Sequence, residues 1–530
     1  MLRKLEGAPP SMARRRLLTG ALGLALLPFY AAGHSGPSLR ERPRFVAYPF
    51  ALGVASGTPT SNSVVLWTRL APDPLHGGGI PRDERIRVSW EIAADEAFTQ
   101  PLQRGDYAVA SELGYSAHVE VRGLEPDRPY WYRFLCGDAV SPVGRTRTLP
   151  AGDAAADHVR LAVASCQHYE QGYYHAYRQL CRDEPHFMAF VGDYIYESSW
   201  GAEPVRVHEN DGREPHSLVA YRNRLAQYRL DPDLQAAHAA MPWFVTVDDH
   251  EIDNDWAIDR SEHLDPQFAQ RRANALQAYF EHMPLPMASL NTGASLNLYR
   301  HFDFGSLARF YLLDTRQFRD PQPCPREGMG GASTVSDRSC PSRRDPARSL
   351  LGAAQERWLE AGFAASRARW NVLTQQTLLS QLAQSSAEEP RHYTEIWDGY
   401  PAARERLLRA MEQHRLSNPL VLGGDVHCTW AMDVKRDFDN PRSKVVATEF
   451  SGTSMTSAGY PQSVVDGFLP LNPHAHYGNS EHHGYLLVDL RRDGAEVQVR
   501  SPASIKDARS PIATARRFRV EHGRPGVQPG

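Results

Sequence analysis

Asp193 and Tyr196 stand three residues apart at the end of an apolar run, Phe187 to Val191, after a turn made by Gly192. A carboxylate there can bridge two cations through its two oxygens, and a phenol can offer a phenolate to one of them. Five other apolar runs also end in polar residues: Ser165-Cys166-Gln167-His168, Asp248-Asp249-His250-Glu251, Asp314-Thr315-Arg316, Gln375-Gln376 and Gly424-Asp425-Val426-His427. Cys166, Tyr196 and His427 together with Asp193 make a thiolate, phenolate, imidazole and carboxylate set. That mixture suits a Lewis-acidic transition metal, Fe(III) best. Asp249, Asp425 and an amide oxygen from Gln375 or Gln376 are hard donors suited to Ca²⁺ or Mg²⁺, with Asp193 bridging. Two neighbouring cations clamp a phosphate and acidify a bridging water, the usual route to in-line phosphoester hydrolysis.

Such residues need strands that end together. Open α/β sheets place ligands at the carboxyl ends of their strands. From 159 to 430 short apolar strands alternate with amphipathic helices, which predicts a layered α/β domain. Later strands with fewer helices between them predict a second sheet packed on the first. From Phe50 to about Pro150 the pattern is all-β, with short alternating strands and Gly/Pro/Asp turns, as expected of a β-sandwich. The turn Leu124–Tyr130 resembles the one before the tyrosine-bearing strand of fibronectin-type sandwiches. The expected divisions are a leader at 1–33, the sandwich at 48–150, the catalytic region at 158–505 and a tail or lid at 506–530. The tail is basic and reads as a helix with a loose end.

Several residues also have plain structural readings. Cys166 would serve as a buried apolar thiol, and Tyr196 as a core aromatic. Asp314 and Arg316 read as an ion pair at a strand end. His474, His476, His482 and His483 read as solvated or substrate-proximal, with no fixed period to make a zinc cluster.

Composition is that of an ordinary globular protein: 530 residues, 42% hydrophobic, 23% charged, net charge -3. No basic run marks a nucleic-acid-binding module. Arg14-Arg15-Arg16-Leu17-Leu18, an apolar stretch to Tyr30 and the small residues Ala31-Ala32-Gly33 read as a cleavable twin-arginine leader, with the twin-arginine translocase as partner during export. The stretch is too short and Gly-rich for a stable membrane anchor. Residues 1–33 carry five Lys/Arg and one Glu, so the chain without them is near -7. A periplasmic or secreted location follows. In an oxidising compartment Cys324 and Cys340, which flank a Gly/Ser/Arg/Pro loop, are the expected disulfide.

The residue blocks resemble those of the PhoD-type alkaline phosphatases, a branch of the calcineurin-like and purple-acid-phosphatase superfamily. Gly192-Asp193-Tyr194-Ile195-Tyr196, Asp248-Asp249-His250-Glu251 and Gly424-Asp425-Val426-His427 match the superfamily's three metal blocks in order. Cys166 stands where the superfamily has its first Asp, Asp249 where it has Asn, and Asp425 where it has His; these departures are those of the PhoD branch. The resemblance covers nearly the whole chain after the leader. It implies a four-layer αββα metallophosphoesterase domain behind an Ig-like sandwich, with Fe(III) and Ca²⁺ as cofactors. By the same resemblance, iron would bind Cys166, Asp193, Tyr196 and His427. Calcium would use Asp193, Asp249, Asp425 and a glutamine, for which strand position gives Gln376. His250 would contact the substrate phosphate and protonate the leaving group. Asn254 and Asp255 would hold substrate or a further Ca²⁺, and the C-terminal segment would cover the site.

The expected activity is hydrolysis of phosphate monoesters, diesters or both, on a small-molecule or polymeric substrate. A phospholipase D-like action on lipid diesters is one alternative, and a non-catalytic, metal-stabilised surface-binding protein is another. The lack of a Gly-x-Ser-x-Gly elbow counts against a serine esterase.

Overall fold

The computed structural model describes residues 39–530 apart from 202, 210–211, 292–294 and 387. The leader expected at 1–33 lies outside the described residues. Among those described, no helix is long and apolar enough to cross a membrane.

Two sheets face each other. The first has ten strands and is built around the parallel set His158–Ala164, Phe187–Phe190 and Pro242–Val245. The second has seven, with Ala308–Leu312, Trp370–Thr374, Pro419–Gly423 and Val445–Ser451 running parallel. Alternate residues of each strand point to opposite faces. Thus Phe187 and Ala189 turn toward the second sheet, where they meet Phe310, Val372 and Leu420. The rings of Phe187 and Phe310 lie 5.2 Å apart. Met188 and Phe190 turn outward, onto helices Ala176–Asp183, Leu218–Arg229 and Phe268–His282. Helices Gly352–Ala365 and Pro401–Gln413 cover the outer face of the second sheet. This gives the expected helix–sheet–sheet–helix order.

The N-terminal region is a sandwich, but not a separate one. Its first sheet is built on Arg85–Ala93, Pro101–Ala110 and Pro129–Cys136. Its second, Val54–Gly57, Ser63–Arg69 and Ser116–Arg122, is the end of the ten-stranded sheet itself. Val54–Gly57 pairs in parallel with Pro242–Val245, Ser56 opposite Pro242 and Gly57 opposite Trp243. Val64, Leu66, Val119 and Val121 pack on Ile86, Val88, Tyr132 and Phe134. The hydroxyl of Tyr130 accepts from the N–H of Glu125 at 2.9 Å, the tie expected of the turn before this strand.

The tail corrects a sequence expectation. Residues 512–521 and 524–529 are strands at the far edge of the ten-stranded sheet, not a helix, and no residue of 506–530 lines the cleft where the candidate residues meet. Arg516, Arg517 and Arg519 interrupt the apolar alternation in the sequence, and of this strand only Phe518 and Val520 are buried against the core.

Candidate metal centre

Each candidate side chain sits just past the carboxyl end of a buried strand. Cys166, Asp193, Asp425 and His427 all adopt positive φ, between 51° and 67°. Non-glycine residues rarely do so, and the strain is held by neighbouring bonds. The N–H of Cys166 donates to the carbonyl of Gly192 and that of Gln167 to Asp193, each at 3.1 Å. Glu251 is buried behind them and accepts from the N–H groups of Tyr194 (2.5 Å) and Asp248 (2.7 Å), so one carboxylate ties two strand ends. Gly192 has φ 111°, and a Cβ there would lie 2.4 Å from that of Asp248. No other residue fits.

These turns bring one ligand atom each of Cys166, Asp193 and His427 within 4.8 Å of one another. The same holds for Asp193, Asp249 and His250, for Asp248, Asp249 and Asp425, and for Asp249, Asp255 and Glu395. The Tyr196 hydroxyl lies 2.9 Å from Asp193 Oδ2 and 3.0 Å from His427 Nε2. His427 Nδ1 is 2.8 Å from the carbonyl of Ala458. A carbonyl only accepts, so Nδ1 carries the proton and the Nε2 lone pair faces the thiol, carboxylate and phenol. This is the usual arrangement of a metal-ligating histidine.

The charge balance points the same way. Asp193, Asp248, Asp249, Asp255, Glu395 and Asp425 are clustered and largely out of solvent. Among the described residues, the cations set against them are one fully buried guanidinium, Arg316, and the His250 imidazole, and no Lys or Arg lines the cleft. Burial pushes Asp193, Asp255 and Asp425 well above the ordinary carboxylate range, and like charges nearby add to it. Burial likewise pushes Asp248 up to about 7, although Arg316 pulls the other way. Asp248 Oδ2 is buried without a hydrogen-bond partner. The Cys166 thiol and Tyr196 phenol are also driven far up, by burial first and Asp193 second. Bound cations offset these effects of burial and like charge, and they deprotonate a coordinating thiol outright. The donor set therefore fits a soft-plus-hard pair of cations.

His250 stands beside this cluster. Its Nδ1 is 2.8 Å from Glu197 Oε2, and its ring centroid lies 4.1 Å from that of Tyr196. Burial lowers its proton affinity, but Glu197, Asp249 and Asp193 more than reverse this, so it is held well above the ordinary histidine range. Nε2 is left for the cleft, a cavity of about 600 Å³ that Asp193, Asp249, His250, Asp425 and His427 all line. Asn254 is at its rim, with Nδ2 donating to Glu262 at 3.0 Å.

Two expectations fail. Gln376 is not at the cation cluster: both lone pairs of its Oε1 accept from Thr315, and its Nε2 donates to Thr246, Val247 and Leu313. Gln375 Oε1 accepts from the Trp397 indole at 2.7 Å. Arg316 does not pair with Asp314. Its guanidinium meets Asp248, reaches Glu395 at 2.6 Å, and comes within 3.6 Å of Asp249 and 3.9 Å of Asp425. Histidines 474, 476, 482 and 483 do not line the cleft; His474 bonds Gln381 and His476 bonds Asp433.

The sequence reading missed Glu197, Glu395 and the role of Arg316. Glu197 directly follows Tyr196 and offered a signal. Glu395 follows no core strand. It arrives through a two-stranded ladder, 334–336 with 391–393, and Tyr393 donates to it at 2.9 Å. The loop leading into that ladder is closed by the expected Cys324–Cys340 disulfide. In the same loop Ser333 Oγ donates to the Cys324 carbonyl, and the N–H of Ala332 donates to Asp255 Oδ2 at 2.9 Å.

Comparison with known proteins agrees with this fold. Residues 36–150 match the family model of the PhoD-like phosphatase N-terminal domain, and residues 161–499 that of the PhoD-like phosphatase. Alkaline phosphatase D of Bacillus subtilis (strain 168) is 41% identical over 526 residues, spanning 97% of this chain and 88% of that protein. A solved structure of PhoD superposes with a TM-score of 0.87 at 42% identity, covering 92% of this chain and 93% of that one. With its sandwich, its paired sheets and its converging strand ends, the chain belongs to the PhoD-like phosphatase family.

Proposed function

We propose that this phosphatase is a metal-dependent phosphoester hydrolase acting on monoesters, diesters or both, including polymeric or lipid diesters. The observation that carries this reading is the buried carboxylate cluster joined to Cys166, Tyr196 and His427 on one side of Asp193, with His250 facing the same cleft. Iron would be held by Cys166, Asp193, Tyr196 and His427. Calcium would be held by Asp193, Asp249 and Asp425, with Asp255 and Glu395 in reach. Cations in those positions supply Lewis acidity toward phosphoryl oxygens and acidify water.

The chain's own residues do the rest. Glu197 fixes the His250 ring so that the Nε2 proton points into the cleft, toward a departing alkoxide. Arg316 holds Asp248 and Glu395 in place. Asn254, at the rim, is a substrate contact.

Export by the twin-arginine route to a periplasmic or secreted location belongs to the same proposal, as does the division into an N-terminal domain at 48–150 and a catalytic domain at 158–505. The deciding experiment is metal analysis with a visible spectrum, beside hydrolysis of p-nitrophenyl phosphate and its bis-ester with and without a calcium chelator. Iron with a phenolate band and Ca²⁺-restored turnover are expected. Metal-free protein without turnover would overturn the reading.

A further inference from the structure

One segment touches three of the four iron-side residues without supplying a ligand atom. It is the strap 454–458, which follows strand Val445–Ser451. The N–H groups of Thr456 and Ser457 donate to the carbonyl of Cys166 at 3.3 and 3.2 Å. The carbonyl of Ala458 accepts from His427 Nδ1. The Ser457 hydroxyl lies 2.8 Å from the Tyr196 phenol oxygen and 2.8 Å from the Cys166 carbonyl oxygen. It also accepts from the N–H of His168 at 3.2 Å.

Ser457 therefore has one proton and two places to send it. The Cys166 carbonyl already receives two N–H groups and can do without the hydroxyl. Tyr196 is differently placed. Its phenol oxygen faces Asp193 Oδ2, His427 Nε2 and Ser457 Oγ. A ligating carboxylate only accepts. His427 carries its proton on Nδ1, so its Nε2 only accepts as well. Once the phenol has lost its own proton, as a ligating phenolate has, the Ser457 hydroxyl is the one donor in reach among the described residues. Both side chains are fully buried, which keeps bulk water from substituting.

We propose that Ser457 is a positioning residue for the iron side: its O–H turns from the Cys166 carbonyl to the Tyr196 oxygen when that oxygen ligates, and tempers how strongly the phenolate donates. The inference rests on the metal-dependent reading above. The strap is pinned on either side of Ser457. The Met455 N–H donates to the Ser165 carbonyl at 2.9 Å, Thr456 Oγ1 to the His168 carbonyl at 2.8 Å, and the Ala458 N–H to Gln171 Oε1 at 2.6 Å. Rotation of the O–H is then the motion left to Ser457. A hydrogen bond to a phenolate oxygen draws electron density from it, so losing that bond moves charge transfer to longer wavelength.

The test uses the full enzyme loaded with iron and calcium. Ser457→Ala is expected to keep the phenolate band but shift it to longer wavelength. Iron binding, measured against a competing chelator, should weaken by about tenfold, with calcium affinity unchanged. Ser457→Cys, which puts a weak S–H donor in the same place, should shift the band in the same direction by less. Thr456→Val cuts the strap's tie to His168 without touching Tyr196, and its band should stay where it is. A band unmoved in both Ser457 variants, or moved as far in Thr456→Val, overturns the proposal and leaves the metal reading standing. An unaltered enzyme without iron and without the band removes the metal reading, and the role of Ser457 with it.

Discussion

Glu197 Oε2 lies 2.8 Å from Nδ1 of His250, and Glu197 Oε1 accepts from the N–H of Asn254 at 3.0 Å. Nδ1 must donate to the carboxylate, so the other ring nitrogen is the one presented to the cleft. Glu197 thus acts through His250. Glu197→Gln is expected to lower kcat by about 10–100-fold with little change in KM. The check is a double-mutant cycle: in a His250→Ala background the same substitution should cost almost nothing further. Equal losses in both backgrounds would show that the two residues act separately.

Tyr196 joins the thiol side of the cluster through its hydroxyl. Tyr196→Phe removes the hydroxyl and little volume. With iron held as proposed, the charge-transfer band should disappear, and activity should fall by at least about 100-fold. A band that survives in this variant would place the chromophore elsewhere.

Arg316 is fully buried between Asp248 and Glu395. Arg316→Met leaves buried carboxylates without their partner, at a cost of about 3–5 kcal/mol in urea unfolding. Arg316→Lys keeps the charge but loses the planar fork, and should fall between the two. If Met were tolerated as well as Lys, the guanidinium would have no share in holding the cluster.

The disulfide closes a loop whose ends are 16 residues apart in sequence. Cys324→Ser with Cys340→Ser is expected to cost about 3 kcal/mol of stability. The Asp255 carboxylate hangs on Ala332 inside that loop, so calcium affinity, measured by titration, should weaken as well. Unchanged calcium binding in the folded double variant would uncouple the loop from the site.

Burial holds two histidines far from the centre in the neutral form. His118, stacked on Phe280 at 4.3 Å, is pushed down to about 4, and His186 likewise to about 4. The unfolded chain protonates them near 6.5. Their contribution is therefore complete above about pH 6.5 and is lost as pH falls from there through about 4. Urea midpoints should decline between pH 7 and pH 5, and His118→Gln should make that decline shallower. A slope unaltered by the substitution would assign the acid sensitivity to other groups.

The residues legible in the sequence were those whose position depends on one strand. Asp193, Asp249, Asp425 and His427 each follow an apolar run, and the two-sheet core follows from the same runs. Gln376 met the same criterion and is still absent from the cluster, because its amide is satisfied by Thr315 and Leu313 beside it and by Thr246 and Val247 past the end of a strand of the facing sheet. Glu395 was invisible, since its place is set by a ladder between two loops. Arg316 was assigned to its sequence neighbour Asp314, but its long side chain reaches residues 68 and 79 positions away. Periodicity reports which face a residue takes, not which distant group will satisfy it.

The pairing of Ser56 and Gly57 with Pro242 and Trp243 has a bearing on how this protein can be cut. A shortened chain starting near residue 158 would keep every candidate ligand, yet its strand Pro242–Val245 would lose a neighbour along one side. Unpaired N–H and C=O groups on a flat apolar strand recruit other chains. Such a fragment should gather into aggregates before it can be assayed, and the N-terminal region is in this sense the seal of the catalytic sheet.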